Sequence, residues 1–181
     1  HGIIQPLTVR KLPTGFYQII AGERRWRAAR MAGLREVPVT VIEADDKTAM
    51  ELALIENLQR ADLDPIEEAR GYQQLLQEYG MTQSGVAERV GKSRPAVANA
   101  LRLLALSAPV LDMVAGGAIS AGHARAILTL TDEHAQLAVA QKVQNLQLSV
   151  RQTELMCKNM AKPAKKAPPP APAVDYIAVC E

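Results

Sequence analysis

The stretch AGERRWRAAR, residues 21–30, decides how the first third of the chain is read. Its Ala and Arg content favours helix, and Gly22 follows FYQII, residues 16–20, which reads as a strand. The helix therefore starts at the glycine and carries Arg24, Arg25 and Arg27 in its first turns. That end of a helix already holds about half a positive charge and repels cations. An anion bound there resolves the conflict: backbone N–H groups after Gly22 point at it, and Arg24 and Arg25 neutralise it. Several arginines on one anion suggest a polyphosphate. The plainer reading is a solvated basic face with Arg–Glu pairs. The chain has no GxxxxGK[ST], so a nucleotide here is not held by a Walker loop.

On either side of a turn at Pro13 and Gly15, PLTVRKL (6–12) and YQIIAG (17–22) read as strands. Gly33 caps the C-terminus of the arginine helix, and VPVTVIE (37–43) is a third strand, β-branched and alternating. DDKTAMELALIENLQR (45–60) is a second helix, with its acidic residues in the first turn. Strands alternating with helices predict a small α/β layer. From about residue 64 to 160 no strand is convincing; Pro65 starts a helix that Gly80 ends, and short helices follow, bounded at Gly91, Pro109, Gly116–Gly117 and Gly122. AKPAKKAPPPAPA (161–173) is an extended linker by composition. The fold class is thus α+β, mostly α, in three parts: 1–62, 63–160 and 161–181.

With 181 residues, 48% hydrophobic and 22% charged, the chain can bury a core, which only 3% aromatic content builds from Leu, Val, Ile and Ala. The net charge of +2 is unevenly spread. Residues 22–35 hold five Arg and one Glu (+4), residues 43–68 nine acids and two bases (−7), and residues 81–107 four bases and one acid (+3). Such segregation presents distinct surfaces to distinct partners. No apolar run approaches the roughly 18 residues of a membrane span. Cys157 and Cys180 lack metal spacing and read as reduced thiols.

MTQSGVAERVGKSRPAVANALRLLALS (81–107) has the pattern of a helix-turn-helix. Thr82 caps a short helix whose inner face is Val86, Ala87 and Val90; Gly91 ends it; Ser93 caps the next, with Pro95 in its first turn. A small residue at the helix crossing and a left-handed turn residue are what the motif requires. Val97, Leu101 and Leu104 point inward, which leaves Lys92, Ser93, Arg94 and Asn99 outward, where major-groove readers place their contacts. Two helices of an ordinary bundle with a solvated basic face would give the same pattern. His123 could reach phosphate near Arg125, but beside a glycine at a helix start it reads better as a cap or packing residue; His1 and His134 carry no signal.

The second helix of the first part ends in LIENLQR, where Glu56 and Asn57 offer adjacent oxygens of the kind that Mg²⁺ on phosphates takes, with Arg60 one turn on. An exposed polar helix end is the simpler reading of these residues alone.

Together GIIQPLTVR, AGERRWRAAR, VPVTV, IENLQRADLDPIEEA and GKSRPAVANALRLLALS resemble the ParB family of chromosome and plasmid partitioning proteins, in order and spacing from residue 2 to about 160. The resemblance implies a CTP-binding domain followed by a helix-turn-helix domain that recognises a parS palindrome, forming a CTP-dependent sliding DNA clamp that hydrolyses CTP slowly. It implies that Gln5 lies beside the cytosine, that Gly22, Glu23, Arg24 and Arg25 line the triphosphate, and that Glu56 and Asn57 hold Mg²⁺, with Glu56 assisting hydrolysis. For DNA it implies Lys92, Ser93, Arg94, Asn99 and Arg102. The implied partners are double-stranded DNA, a second copy of the chain and a ParA-type ATPase, in the bacterial cytoplasm on the nucleoid and without a membrane. The ParA-contacting segment and the C-terminal dimerisation domain, which VDYIAVCE would begin, are expected outside this chain. The alternatives of another class are a plain helix-turn-helix operator binder and a nucleoid-occlusion relative, in which the arginine helix is structural.

Overall fold

In the computed structural model, which describes residues 3–60 and 63–161, the chain runs from a three-stranded sheet into a succession of helices. Strands β1 (Leu7–Lys11) and β2 (Tyr17–Ala21) form an antiparallel hairpin. Its turn is closed by Leu12 N–H donating to Phe16 O at 2.7 Å, and Gly15 takes φ +87°, the left-handed conformation that suits glycine. Strand β3 (Val39–Ile42) joins β1 in parallel, so the order is β2-β1-β3. Helix α1 (Glu23–Met31) packs on β1 and α2 (Asp46–Leu58) on β2.

Alternation along β1 sends Leu7 and Val9 to one face and Arg10 to the other. All three are buried. Arg10 donates to Gln18 Oε1 (2.8 Å) and Ala44 O (3.3 Å) and pairs with Asp46 (2.5 Å), tying β2, the loop after β3 and the first turn of α2 to the central strand. Asp45 caps α2 by accepting from Thr48 N–H, and hydrogen bonding to the Thr48 side chain and then its backbone holds the carboxyl below the usual range.

The helical part comprises α3 (Pro65–Gln77), α4 (Gln83–Val90), α5 (Arg94–Leu103), α6 (Ala108–Ala115), α7 (Ala121–Ile127), α8 (Glu133–Leu146) and α9 (Val150–Ala161). The helix-turn-helix forms at the expected residues: Thr82 Oγ1 accepts from Gly85 N–H (3.1 Å), Gly91 takes φ +69°, and Ser93 Oγ accepts from Ala96 N–H (3.3 Å). Two differences stand out. Helices α8 and α9, of 14 and 12 residues, are not short. In α5 the fully inward residues are Val97 and Leu103, while Leu101 and Leu104 are half-buried.

Two apolar clusters hold this part together. One surrounds Val110, Ala124, Ile127 and Val139, and the buried Gln136 braces it by accepting from Ser107 N–H (3.0 Å) and donating to Leu130 O (2.8 Å). The other joins Tyr72, Leu75, Val86, Ala87, Val90 and Val97 to Ile55 and Leu58 of α2. Helix α2 therefore packs on the second cluster with one side and on β2 of the sheet as well. Residues 61–62 at the expected boundary, His1, and the linker with Cys180 lie outside the described residues; Cys157 is a buried free thiol. Among the described residues no helix is long and apolar enough to cross a membrane.

Candidate nucleotide cleft and nucleic-acid interface

Gly22 is the N-cap of α1 at φ +100°, with no side chain capping the helix. A Cβ there would lie 2.7 Å from Leu7 Cδ2, and the positive φ strains any side chain at this position. Gly22 has no side chain to cap the first turn of α1, and that turn borders a cleft of about 600 Å³. Gly22, Glu23, Arg24 and Arg25 form one wall, and Ala53, Glu56, Asn57 and Arg60 of α2 and the residues after it form the other. The two motifs that the sequence separates by about thirty residues face each other across this cleft.

The arginines are not equivalent. Arg24 is exposed at the cleft. Arg25 donates from Nη1 to the carbonyls of Gln5 (2.9 Å) and Pro6 (2.6 Å), so it holds the segment before β1 against α1. Arg27 pairs with Glu23 at 3.0 Å, one turn apart, and both are largely exposed, a pairing of little energetic weight. Arg25 also borders a second, more apolar cleft of about 640 Å³ lined by Ile3, Ile4, Gln5, Ala28, Ala32 and Leu34. The expected base-side residue, Gln5, and the expected phosphate-side residues are thereby joined through one guanidinium.

Among the described residues no group of three or more His, Cys, Asp or Glu could hold a metal alone. Glu56 and Asn57 are exposed and adjacent, which fits a Mg²⁺ that takes one or two protein oxygens and the rest from phosphates and water. The resemblance gives no role to Ala53, Arg27 or Arg60, which also line the cleft. The signal was present: residues 53, 56, 57 and 60 stand at i, i+3, i+4 and i+7, one face of a helix.

On α5, Lys92, Ser93 and Arg94 are exposed at its start, Asn99 is half-buried and Arg102 exposed. At 3.6 residues per turn, Asn99 and Arg102 share the arc turned away from Val97, while Arg94 stands exposed in the first turn. Ser93 spends one hydroxyl lone pair on its own helix cap. His123 is a cap: its Nδ1 accepts from Ser120 N–H (3.2 Å) and Ser120 Oγ accepts from its backbone N–H. Arg125 lines the groove bordered by Ser93 and Asn99.

Family models described as the ParB N-terminal domain and the ParB HTH domain match residues 1–58 and 61–162. The chromosome-partitioning protein ParB of Myxococcus xanthus is 51% identical over 182 residues, 98% of this chain and 61% of that protein. The chromosome-partitioning protein Spo0J of Thermus thermophilus is 53% identical over 171 residues, 94% of this chain and 62% of that protein. The chain thus spans about three-fifths of the length of these relatives. The crystal structure of C-terminally truncated ParB from Caulobacter crescentus, complexed to the centromeric parS site, has a TM-score of 0.80 at 47% identity, covering 86% of this chain and 82% of that one.

Proposed function

The chain belongs to the ParB family, and from that premise we propose that it is the nucleotide-binding and DNA-binding part of a chromosome-partitioning clamp, switched by CTP on parS-like DNA. The observation that carries this reading is the cleft in which the uncapped start of α1 and Arg24 face Glu56 and Asn57. Bound there, CTP supplies a triphosphate of charge about −4. The first-turn amides and Arg24 offset that charge, Arg25 fixes the Gln5–Pro6 segment beside the base, and Glu56 and Asn57 hold Mg²⁺. Glu56 also orients a water for slow hydrolysis to CDP and phosphate.

Arg94 and Asn99 read base edges, Lys92, Ser93 and Arg102 contact the DNA backbone nearby, and a palindrome seats two copies of the chain. The clamp closes as a homodimer through the N-terminal parts, serves a ParA-type ATPase, and works in the cytoplasm on the nucleoid.

Calorimetric titration with CTP, ATP, GTP and UTP tests the reading: only CTP should bind well. If none binds while parS binding persists, the chain is a plain operator-type DNA binder. On DNA, Arg94→Ala should cost about 1–3 kcal/mol on parS with little loss on random sequence. Equal loss on both would confine Arg94 to the backbone.

A further inference from the structure

Helix α2 presents opposite faces to two sites. Residues 53, 56, 57 and 60 face the cleft at α1. At 100° per residue, Glu51, Ile55, Leu58 and Gln59 fall on the other side. Ile55 and Leu58 are buried in the same cluster as Val86, Ala87, Val90 and Val97 of the helix-turn-helix. Two polar contacts accompany this packing, and both end on one residue of α4. The Arg89 guanidinium pairs with Glu51, whose side chain is only 18% exposed, and the Arg89 carbonyl accepts from Gln59 Nε2 at 3.1 Å. Glu51 and Gln59 are eight residues apart, about 12 Å along α2 at 1.5 Å per residue. Arg89 is therefore gripped at both its side chain and its carbonyl, one residue before Val90 and the Gly91 turn that launches α5.

We propose that Arg89 is a positioning residue that couples the nucleotide cleft to the DNA-reading helix. Through Glu51 and Gln59 it ties the end of α4 to the back of α2, so a shift of α2 on filling the cleft changes the aim of α5. The proposal rests on the nucleotide reading above. A surface ion pair alone carries little stability; what Arg89 adds is a fixed geometry between two sites that share no residue.

The test compares parS affinity with and without CTP and Mg²⁺, on the full 181-residue chain, for the unaltered protein, Glu51→Gln, Arg89→Met and the charge-exchanged double variant Glu51→Arg/Arg89→Glu. Couplings between sites usually amount to about a 5–150-fold change in affinity. The single variants should bring the ratio of the two parS affinities at least about fivefold closer to one, while CTP affinity without DNA and melting temperature stay near those of the unaltered protein. The charge-exchanged variant should restore the ratio. Arg89 touching a DNA phosphate directly would weaken parS binding equally in both conditions and leave the ratio unchanged, which overturns the proposal. A ratio of one in the unaltered protein, with CTP bound, overturns it while sparing the nucleotide reading. Failure of the unaltered protein to bind CTP removes the nucleotide reading, and the proposal with it.

Discussion

The sheet region and the helical region are held together by different means. In the helical region, two clusters of buried Leu, Val, Ile, Ala and Tyr do the work, and Leu75, Val86, Val97 and Val110 are fully enclosed. In the sheet region the buried apolar set is thin, chiefly Leu7, Val9, Ile20, Ala29 and Ala49, while Phe16, Tyr17, Met31, Val39, Val41 and Met50 are exposed. Its elements are instead tied by guanidinium groups: Arg10 to Gln18, Ala44 and Asp46, and Arg25 to Gln5 and Pro6. A densely packed region is already set in one shape. A region with a thin core and polar struts opens more readily and gains more from a bound ligand. On the proposed function, the DNA-reading helices are preformed as a unit whose aim follows α2, and the nucleotide region is completed by what it binds.

The largest effect expected on this contrast comes from the cleft. Removing one partner of a desolvated charged contact costs about 2–5 kcal/mol, so Arg24→Ala should abolish calorimetrically measurable CTP binding. Without nucleotide its melting temperature should hold or rise slightly, since a repelled charge leaves the helix start. Arg25→Ala should lose both CTP binding and stability, because it also frees the Gln5 and Pro6 carbonyls. Glu56→Ala should slow hydrolysis more than it weakens binding. Arginine variants that unfold, yet bind CTP when folded, would make the arginines structural only.

Core truncation comes next in size. Leu75→Ala empties a fully buried site and should cost about 2–5 kcal/mol in denaturant unfolding. Ile20→Ala, at the edge of the thinner core, should fall at the low end of that range, because its surroundings can collapse. Added CTP should slow hydrogen exchange in β1–β3 and α1 more than in α3–α5. Equal protection in both would show that the regions open as one unit and end the distinction.

The smallest effect is acid sensitivity at the start of α2. Hydrogen bonding to Thr48 lowers the Asp45 carboxyl below its ordinary value of 3.8. The folded form therefore keeps this proton off longer than the unfolded chain does. The stabilisation is fully present above the ordinary value and is lost as pH falls through the lowered one. Asp45→Asn keeps a capping oxygen, and melting temperatures followed from pH 6 downward should show a slightly shallower acid decline for that variant.

Local devices could be read along the chain. Caps at Thr82 and Ser93, the turn at Gly15, the left-handed Gly91 and the order of strands and helices were legible because each depends on neighbours within about four residues. The clumped arginines after Gly22 and the adjacent Glu56 and Asn57 were legible as chemistry for the same reason. Which groups meet depends on packing. Arg10 reads as an ordinary strand residue until Asp46, thirty-six positions on, reaches it, and Arg89 as a solvated helix residue until Glu51, thirty-eight positions back, pairs with it. Arg25 reads as a phosphate ligand until its hydrogen bonds show it also holding the chain at Gln5 and Pro6. Helical periodicity says that α2 has an apolar side and a polar side, but not that one serves the cleft and the other the DNA-reading helices. That division follows from how the sheet and the helical core are stacked on either side of α2, which is a property of packing rather than of any local run of residues.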